Sequence, residues 1–327
     1  MDFRLSAEQV GLRDGMRGLL ARRFGRDALR SAVERPALDR GLWRELGDAG
    51  LFSLRLPEAE GGTGLGLPEA VVVFEECGRA LLPGPVVPTF LAAGKVPGAA
   101  RGEVVVTEAS GGLVPWMGAA DVVRGWGGDG GRRGGGRRDG GGEDGAGGDG
   151  GGGDGAGGDG GRGDGAGGVL IESVDPLTPL HVVSSDQRPV PPETRLLYAA
   201  EQLGSAGRTL DMAVQHARQR EQFGRPVGAF QAIKHLCADM LVRVELARVA
   251  VYAAAVTGDP VEVAAAGLLA DEAAVRGARD CLQVHGGMGF TWEADVHLHL
   301  KRAWVRAELA GGARAAEETL AAALGTP

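Results

Sequence analysis

The stretch REQFGRPVGAFQAIKH, residues 220–235, joins two long segments with helical hydrophobic periodicity. Arg220 ends the first helix, Phe223-Gly224-Arg225-Pro226 turns the chain, and Gln231 stands at the start of the next helix. A guanidinium, an aromatic ring and a side-chain amide therefore meet at one helix junction. Guanidinium groups bind phosphates bidentately and helix N-termini favour anions, so the junction predicts a site for a diphosphate-bearing cofactor. An ordinary helical hairpin with a surface arginine is the alternative that this spacing leaves open.

A second stretch, QVHGGMGF at residues 283–290, ends the next long helix. Gln283 lies one turn before the glycines Gly286, Gly287 and Gly289, which allow backbone amides to approach a ligand closely. Gly286 is also expected to be a left-handed C-cap. Such a stretch is often only a helix stop, but the two stretches in this order are a more specific signal of a cofactor site.

The pattern predicts an α+β protein that is mostly α. Residues 1–95 form a helical domain, in which Ser6 and Gln9 make a capping box and Pro68 opens a later helix. Residues 191–327 return to helical periodicity, with three long antiparallel helices and a shorter tail that form a four-helix-bundle domain.

Between these helical parts, residues 96–190 predict a small, reduced β domain. GEVVVTEA, AADVV, GVLIESV and LHVVSSD are short, Val/Ile-rich and separated by turn formers. The domain contains a low-complexity insert, residues 125–168, which cannot build a core: 26 of the 42 residues from Gly127 to Gly168 are glycine. A calcium-binding β-roll is disfavoured because the repeats lack apolar residues. A shifted reading frame through a β-hairpin is a second explanation, which resequencing residues 124–169 tests.

Composition excludes several classes of protein. The net charge is −8 and basic residues do not cluster, which disfavours a nucleic-acid-binding protein. The N-terminus has no signal-peptide core and no window is long and apolar enough for a membrane span, so we expect a cytoplasmic location. Cys77, Cys237 and Cys281 lie far apart in helical patterns and are predicted to be core residues rather than disulfides or metal ligands.

Together these stretches resemble the acyl-CoA dehydrogenase family. LPEAEGGTGLGL, EECGRALLPGP, VVVTEA, VDPLTPL and QVHGGMGFTWEADVHLHLKRA also match it, whereas residues 124–168 and the C-terminal tail match poorly. The resemblance implies FAD as cofactor, an acyl-CoA substrate, a dimer-of-dimers assembly, and an electron-transfer flavoprotein or similar acceptor. It assigns Arg220 and Phe223 to the FAD of a neighbouring subunit. The same nucleotide would be lined by Gln231, Gln283, Gly286, Gly287 and Gly289.

The family reaction removes the α-proton of the thioester with a carboxylate while the β-hydride goes to flavin N5. The two family positions for this carboxylate correspond to Gly311 and Thr194, so both usual bases are missing. A thioester α-proton is too weakly acidic to leave without a positioned base. Glu308 and Glu193 are the nearest carboxylates that a shifted backbone would bring into use. The family's flavin-contacting strands in the middle domain, with their Trp-Ile-Thr and Gly-Ser-Asp segments, are absent, and TEASGGLVPWMGAADVV is a shortened version of that region.

Three functions remain open at this point. The missing bases resemble the second subunit of heteromeric acyl-CoA dehydrogenases, which completes the FAD site of a base-carrying partner and often acts on bulky thioesters such as sterol side chains. The alternatives are a self-sufficient homo-oligomer with a relocated base and a non-catalytic scaffold. A metal site at His285, His297 and His299 is disfavoured by their spacing, and EGGTGLGL lacks the lysine-serine ending of a phosphate loop.

Overall fold

The computed structural model describes residues 4–125, 132–133, 168–184 and 188–325. Five helices occupy the N-terminal part: α1 (Ala7–Arg23), α2 (Arg26–Glu34), α3 (Arg40–Asp48), α4 (Leu67–Arg79) and α5 (Val86–Ala92). The capping box predicted for α1 is present, since Gln9 N–H donates to Ser6 Oγ and Ser6 N–H donates to Gln9 Oε1. α2 and α5 were not predicted by the sequence pattern.

Short strands follow in two small sheets. The first contains β1 (Val106–Glu108), β3 (Val122–Arg124) and β4 (Arg132–Arg133), with β1 and β3 parallel. The second contains β2 (Leu113–Pro115), β5 (Val169–Ile171) and β6 (Leu180–Val182), all paired antiparallel. Most of the predicted insert at residues 125–168 lies outside the described residues.

The C-terminal part is helical again. α6 (Pro192–Gln219) is joined to α7 (Gln231–Thr257) by a hairpin of β7 (Glu221–Gln222) and β8 (Arg225–Pro226). α8 (Pro260–His285), α9 (Val296–Leu309) and α10 (Gly312–Leu324) complete the chain. Asp259 caps α8 by accepting hydrogen bonds from Val261 and Glu262 N–H. The predicted mostly α, α+β fold class is confirmed, while the predicted domain boundaries at 95 and 190 stay predictions.

The cysteine prediction holds for two of the three residues. Cys77 and Cys281 are fully buried, but Cys237 is only half-buried on α7, and all three are free thiols. Cys237 lies beside the groove between α6 and α7 rather than in the core, because α7 turns much of its circumference away from the bundle.

Two glycines let α4 and α6 pack backbone to backbone. A Cβ at Gly78 would overlap the carbonyl oxygen of Glu201, and a Cβ at Gly204 would overlap the carbonyl oxygen of Glu75. This reciprocal contact ties the N-terminal helices to the C-terminal bundle. The contact also fixes the position of α6, whose C-cap residue is Arg220.

Gly204→Ala is expected to lower the free energy of unfolding by about 1–3 kcal/mol, because the added methyl group forces the two helices apart. Gly207→Ala is the matched control on the same buried face of α6, where the nearest atom to the new Cβ is Arg79 Nη1 at 3.8 Å. That substitution should leave stability unchanged or raise it by up to about 1 kcal/mol through helix propensity. Urea unfolding of both variants checks the prediction, and equal effects would contradict it.

Candidate functional site

The hairpin after α6 presents an aromatic ring to solvent. The register pairs Gln222 with Arg225, which leaves Phe223 and Gly224 as a two-residue turn. Both have positive φ, +54° and +76°, and Phe223 is 90% exposed. A bulky non-glycine residue in this conformation is strained, and such strain is concentrated at functional sites. The turn therefore has the properties of a binding element rather than of a simple connection.

Several contacts within the hairpin close its base and pack its aromatic rings. Val227 N–H donates to Arg220 O at 2.7 Å and closes its base. The Arg225 guanidinium lies 4.4 Å from the centroid of the Phe230 ring, and Phe223 packs edge-on against the same ring at 6.1 Å. Arg220 and Gln231, on either side of the hairpin, are both exposed.

The three glycines at the end of α8 have different roles. Gly286 has φ +61° and ψ −143°, a region open essentially to glycine alone, so the predicted left-handed C-cap is wrong in detail. The chain leaves α8 more extended than such a cap would allow. A Cβ at Gly287 would meet nothing within 4 Å, whereas one at Gly289 would lie 2.9 Å from Leu282 O. Gly287 thus keeps its backbone open to solvent, and Gly289 permits a close return of the chain.

A stacked pair of histidines joins the two helix ends that carry these stretches. His216, in the last turn of α6, stacks on His285, the last residue of α8, with ring centroids 4.1 Å apart. Of the predicted cofactor residues, Arg220, Phe223, Gln231, Gln283, Gly286 and Gly287 are exposed and Gly289 is buried. The exposed residues of both stretches thus follow two helix ends that are in contact with each other.

Neither usual base position supplies a carboxylate. Thr194 is buried in the first turn of α6, and Gly311 has φ +95° at the start of α10. A Cβ at Gly311 would lie 3.0 Å from Arg195 Nη2 and 3.1 Å from Val190 Cγ2. Arg195 therefore restricts the space that the side chain of a base would need at position 311.

The two substitute carboxylates from the sequence are in ordinary surroundings. Glu193 is half-exposed and forms an ion pair with Arg55. Glu308 is exposed near the end of α9, and the described residues give its side chain no hydrogen bond or ion pair. Neither has the buried, hydrogen-bonded setting that tunes a carboxylate for proton abstraction.

Arg195 and Asp271 were not singled out by the sequence. Arg195 is buried, and among the described residues its guanidinium has neither a hydrogen bond nor an ion pair; burial lowers its pKa. Asp271 on α8 accepts a hydrogen bond from Gln202 Nε2 at 2.8 Å, and burial raises its pKa to about 6. In the sequence Asp271 is one more polar residue of an amphipathic helix, and only its depth in the fold distinguishes it.

The three histidines considered as metal ligands are separate. His285 Nδ1 lies 2.8 Å from Cys281 O, and His299 Nδ1 lies 2.8 Å from Ser205 Oγ. His297 packs against Trp292, and burial lowers the pKa of His297 to about 4. In the part of the chain that the structure describes, no group of three potential metal ligands comes together. Nor does any helix there combine the length and apolar character needed to cross a bilayer.

Comparison with known proteins gives the chain its family. The acyl-CoA dehydrogenase N-terminal domain matches residues 6–96, and the acyl-CoA dehydrogenase C-terminal domain matches residues 192–325. The acyl-CoA dehydrogenase IpdE2 of Mycobacterium tuberculosis is 34% identical over 320 residues, covering 92% of each chain. These matches define the class as FAD-dependent oxidoreductases. The chain belongs to the acyl-CoA dehydrogenase family, and the predicted family and cofactor are confirmed.

Solved structures support the same fold. The ChsE4–ChsE5 complex from Mycobacterium tuberculosis contains a chain with a TM-score of 0.78 at 24% identity, with all of both chains covered. The Tcur3481–Tcur3483 steroid ACAD, solved as a variant, gives a TM-score of 0.75 at 25% identity over 96% of each chain.

The residues at the bundle end fit FAD. An exposed, strained aromatic side chain suits stacking, an exposed arginine without an ion pair among the described residues suits a phosphate, and Gly287 leaves its backbone accessible. These groups face outward rather than into a cavity of this chain. This arrangement fits a cofactor that is shared with a neighbouring subunit.

Proposed function

We propose that this chain is the base-lacking subunit of a heteromeric FAD-dependent acyl-CoA dehydrogenase, which converts an acyl-CoA to a 2-enoyl-CoA. The observation that carries the proposal is a mismatch between two sites. The cofactor-type junction at Arg220 and Phe223 is intact, whereas Gly311 and Thr194 supply no base. A second acyl-CoA dehydrogenase-like chain would supply the carboxylate.

The surface of α7 supports an assembly of this kind. One side of α7 packs in the core through residues such as Val244 and Val251. Its other side carries exposed apolar side chains, namely Leu241, Val242, Leu246, Val249 and Val256. A helix that is apolar on both sides is typical of one buried between subunits.

In the assembled enzyme, this chain's residues bind and orient the cofactor. When bound, FAD supplies the hydride acceptor. Arg220 would neutralise and fix phosphate oxygens, Phe223 would cover an aromatic ring system, and Gln231 and Gln283 would donate or accept hydrogen bonds at its polar edge. The open backbone at Gly286 and Gly287 would allow close approach. Fixing the cofactor in this way aligns it with the substrate held by the partner.

The relatives suggest a bulky substrate. The Tcur3481–Tcur3483 protein is a steroid acyl-CoA dehydrogenase, and ChsE4–ChsE5 is a complex of two different chains. We therefore propose a bulky acyl-CoA, such as one with a sterol side chain, as substrate. We also propose a cytoplasmic location and an electron-transfer flavoprotein or similar acceptor.

Co-expression tests the proposal directly. The chain is produced alone and together with a second acyl-CoA dehydrogenase-like chain that has a carboxylate at the family base position, and flavin content and acyl-CoA-dependent dye reduction are measured. Flavin and turnover that require both chains support the heteromer. Flavin and turnover in this chain alone support the homo-oligomer with a relocated base, and a colourless complex without added turnover supports a scaffold.

Arg220→Ala is expected to weaken FAD binding by the active complex about 10- to 100-fold, since a charge-assisted contact to phosphate contributes about 1.5–3 kcal/mol. Arg218→Ala is the control, because Arg218 is an exposed cation in the same helix turn. Fluorescence titration of the flavin-stripped complex measures both. Equal affinity in the wild type and Arg220→Ala would remove Arg220 from the cofactor site.

A further inference from the structure

The His216–His285 pair links the ends of α6 and α8, next to the proposed cofactor residues Arg220 and Gly286, and neither ring was predicted to contact the cofactor. The two rings are stacked, 4.1 Å apart and inclined by 27°. His216 is one helical turn before Arg220, whose N–H donates to His216 O at 2.8 Å. His285 is covalently followed by Gly286, the first of the three glycines.

Hydrogen bonding and surroundings define the charge state of the pair. His285 Nδ1 must carry a proton, because it lies 2.8 Å from the carbonyl oxygen of Cys281, which can only accept. Burial lowers the pKa of His216, and His285 and Arg220 lower it further. The Cys281 thiol, 3.6 Å from the His285 ring, is uncharged because burial raises its pKa to about 12. His216 is therefore neutral at neutral pH.

We propose that the His216–His285 pair is an anion-binding element of the cofactor site and takes up one proton when the diphosphate-bearing cofactor binds. This inference rests on the proposed assignment of Arg220 and Gly286 to that cofactor. Of the described charged groups, Arg220 on α6 and His285 on α8 act on His216. A diphosphate contributes two negative charges beside Arg220 and so reverses the electrostatic effect on the rings.

The stack accepts one proton rather than two. Two imidazolium rings at 4.1 Å would repel each other at close range, and Arg220 adds a third positive charge nearby. A single imidazolium stacked on a neutral imidazole has no such conflict. The expected stoichiometry is thus at most one proton for each cofactor bound.

The pH dependence follows from proton uptake. The pKa of His216 lies below 6.5 in the free site and rises when the anion is present. Between the two values, binding is coupled to protonation, and affinity increases as the pH falls. We expect the Kd for FAD to be about 3- to 10-fold lower at pH 6 than at pH 8, since one linked proton changes affinity by at most tenfold per pH unit.

Calorimetry of the flavin-stripped complex tests this inference. FAD is titrated at pH 6.5 in two buffers with different ionisation enthalpies, which gives the number of protons taken up. His216→Phe and His285→Phe each keep an aromatic ring in the stack but remove one imidazole. His235→Gln is the control, because His235 is an exposed histidine on α7 without a ring contact among the described residues.

Uptake of about half to one proton by the wild type and the His235 variant, lost in either stack variant, supports the inference. Uptake that is absent from the wild type, that survives in both stack variants, or that disappears in His235→Gln overturns it. If FAD binds and Arg220→Ala weakens its binding, these outcomes test the inference alone and leave the proposed function unchanged. Absence of FAD binding by the complex, or binding unaffected by Arg220→Ala, instead overturns the proposed function and the inference together.

Discussion

Arg302→Met is expected to lower the free energy of unfolding by about 3–5 kcal/mol, because it leaves the buried carboxylate of Asp175 without its counter-ion. Arg302 and Asp175 are both buried and form an ion pair. The same guanidinium donates to Leu82 O at 3.1 Å and to Leu177 O at 3.2 Å. One side chain on α9 thus joins the turn between α4 and α5 to the segment before β6.

A double-variant cycle separates the pair from simple loss of packing. Asp175 also accepts hydrogen bonds from Leu177 N–H and Thr178 Oγ1. In the double variant Arg302→Met/Asp175→Asn, the side-chain amide oxygen can still accept a hydrogen bond, while the buried charge is removed. We expect the double variant to be more stable than Arg302→Met alone, by about 0.5–3 kcal/mol.

Urea unfolding followed by circular dichroism measures the cycle. Arg314→Met is the control, since the Arg314–Glu318 pair is exposed and should give no measurable change. If Arg302→Met unfolds at the same urea concentration as the wild type, the ion pair does not stabilise the junction. Strict additivity of the two single variants would likewise show that the pair is not coupled.

Much of the helical fold could be predicted from the sequence because the local helix-start signals agree with the tertiary structure. The capping box at Ser6, the proline in the first turn of α4 and the aspartate cap of α8 all begin helices where the pattern placed them. α2 and α5 are short. In α2 the apolar residues Ala28, Leu29, Ala32 and Val33 have helical spacing but are only partly buried, whereas nearly all residues of α5 are buried. Neither short helix therefore gives the long periodic pattern that identifies a helix from sequence.

The site contains residues that the sequence predicts and residues that it does not. Arg220 and Phe223 can be predicted because their spacing along the chain forms a recognisable motif. Asp271, Arg195 and His216 acquire their properties only from residues distant in sequence. The pKa of Asp271 depends on burial and on Gln202, and the stacking of His216 depends on the end of α8. No local pattern encodes such contacts.

Removal of the catalytic base is expected to reduce turnover by about 10²- to 10⁴-fold. Because we propose that the partner chain supplies the base, only a substitution in the partner should have this effect. The carboxylates of this chain are poorly suited to the role. Glu193 is paired with Arg55 and Glu308 is exposed. Asp271 has the most suitable pKa, about 6, but its carboxylate is held by Gln202 inside the bundle.

Amide substitutions in the two chains decide where the base lies. Turnover should stay within a few-fold of the wild type when this chain carries Glu193→Gln, Asp271→Asn or Glu308→Gln and is assembled with the wild-type partner. Amide replacement of the partner's carboxylate at the family base position should abolish turnover. Gly311→Glu should not rescue that last complex, because the new side chain would begin 3.0 Å from Arg195 Nη2 on a backbone with φ +95°. Flavin occupancy and circular dichroism must be unchanged for each comparison to count. A hundredfold loss in any of the three variants of this chain would move the base here, and the self-sufficient homo-oligomer would then replace the heteromer.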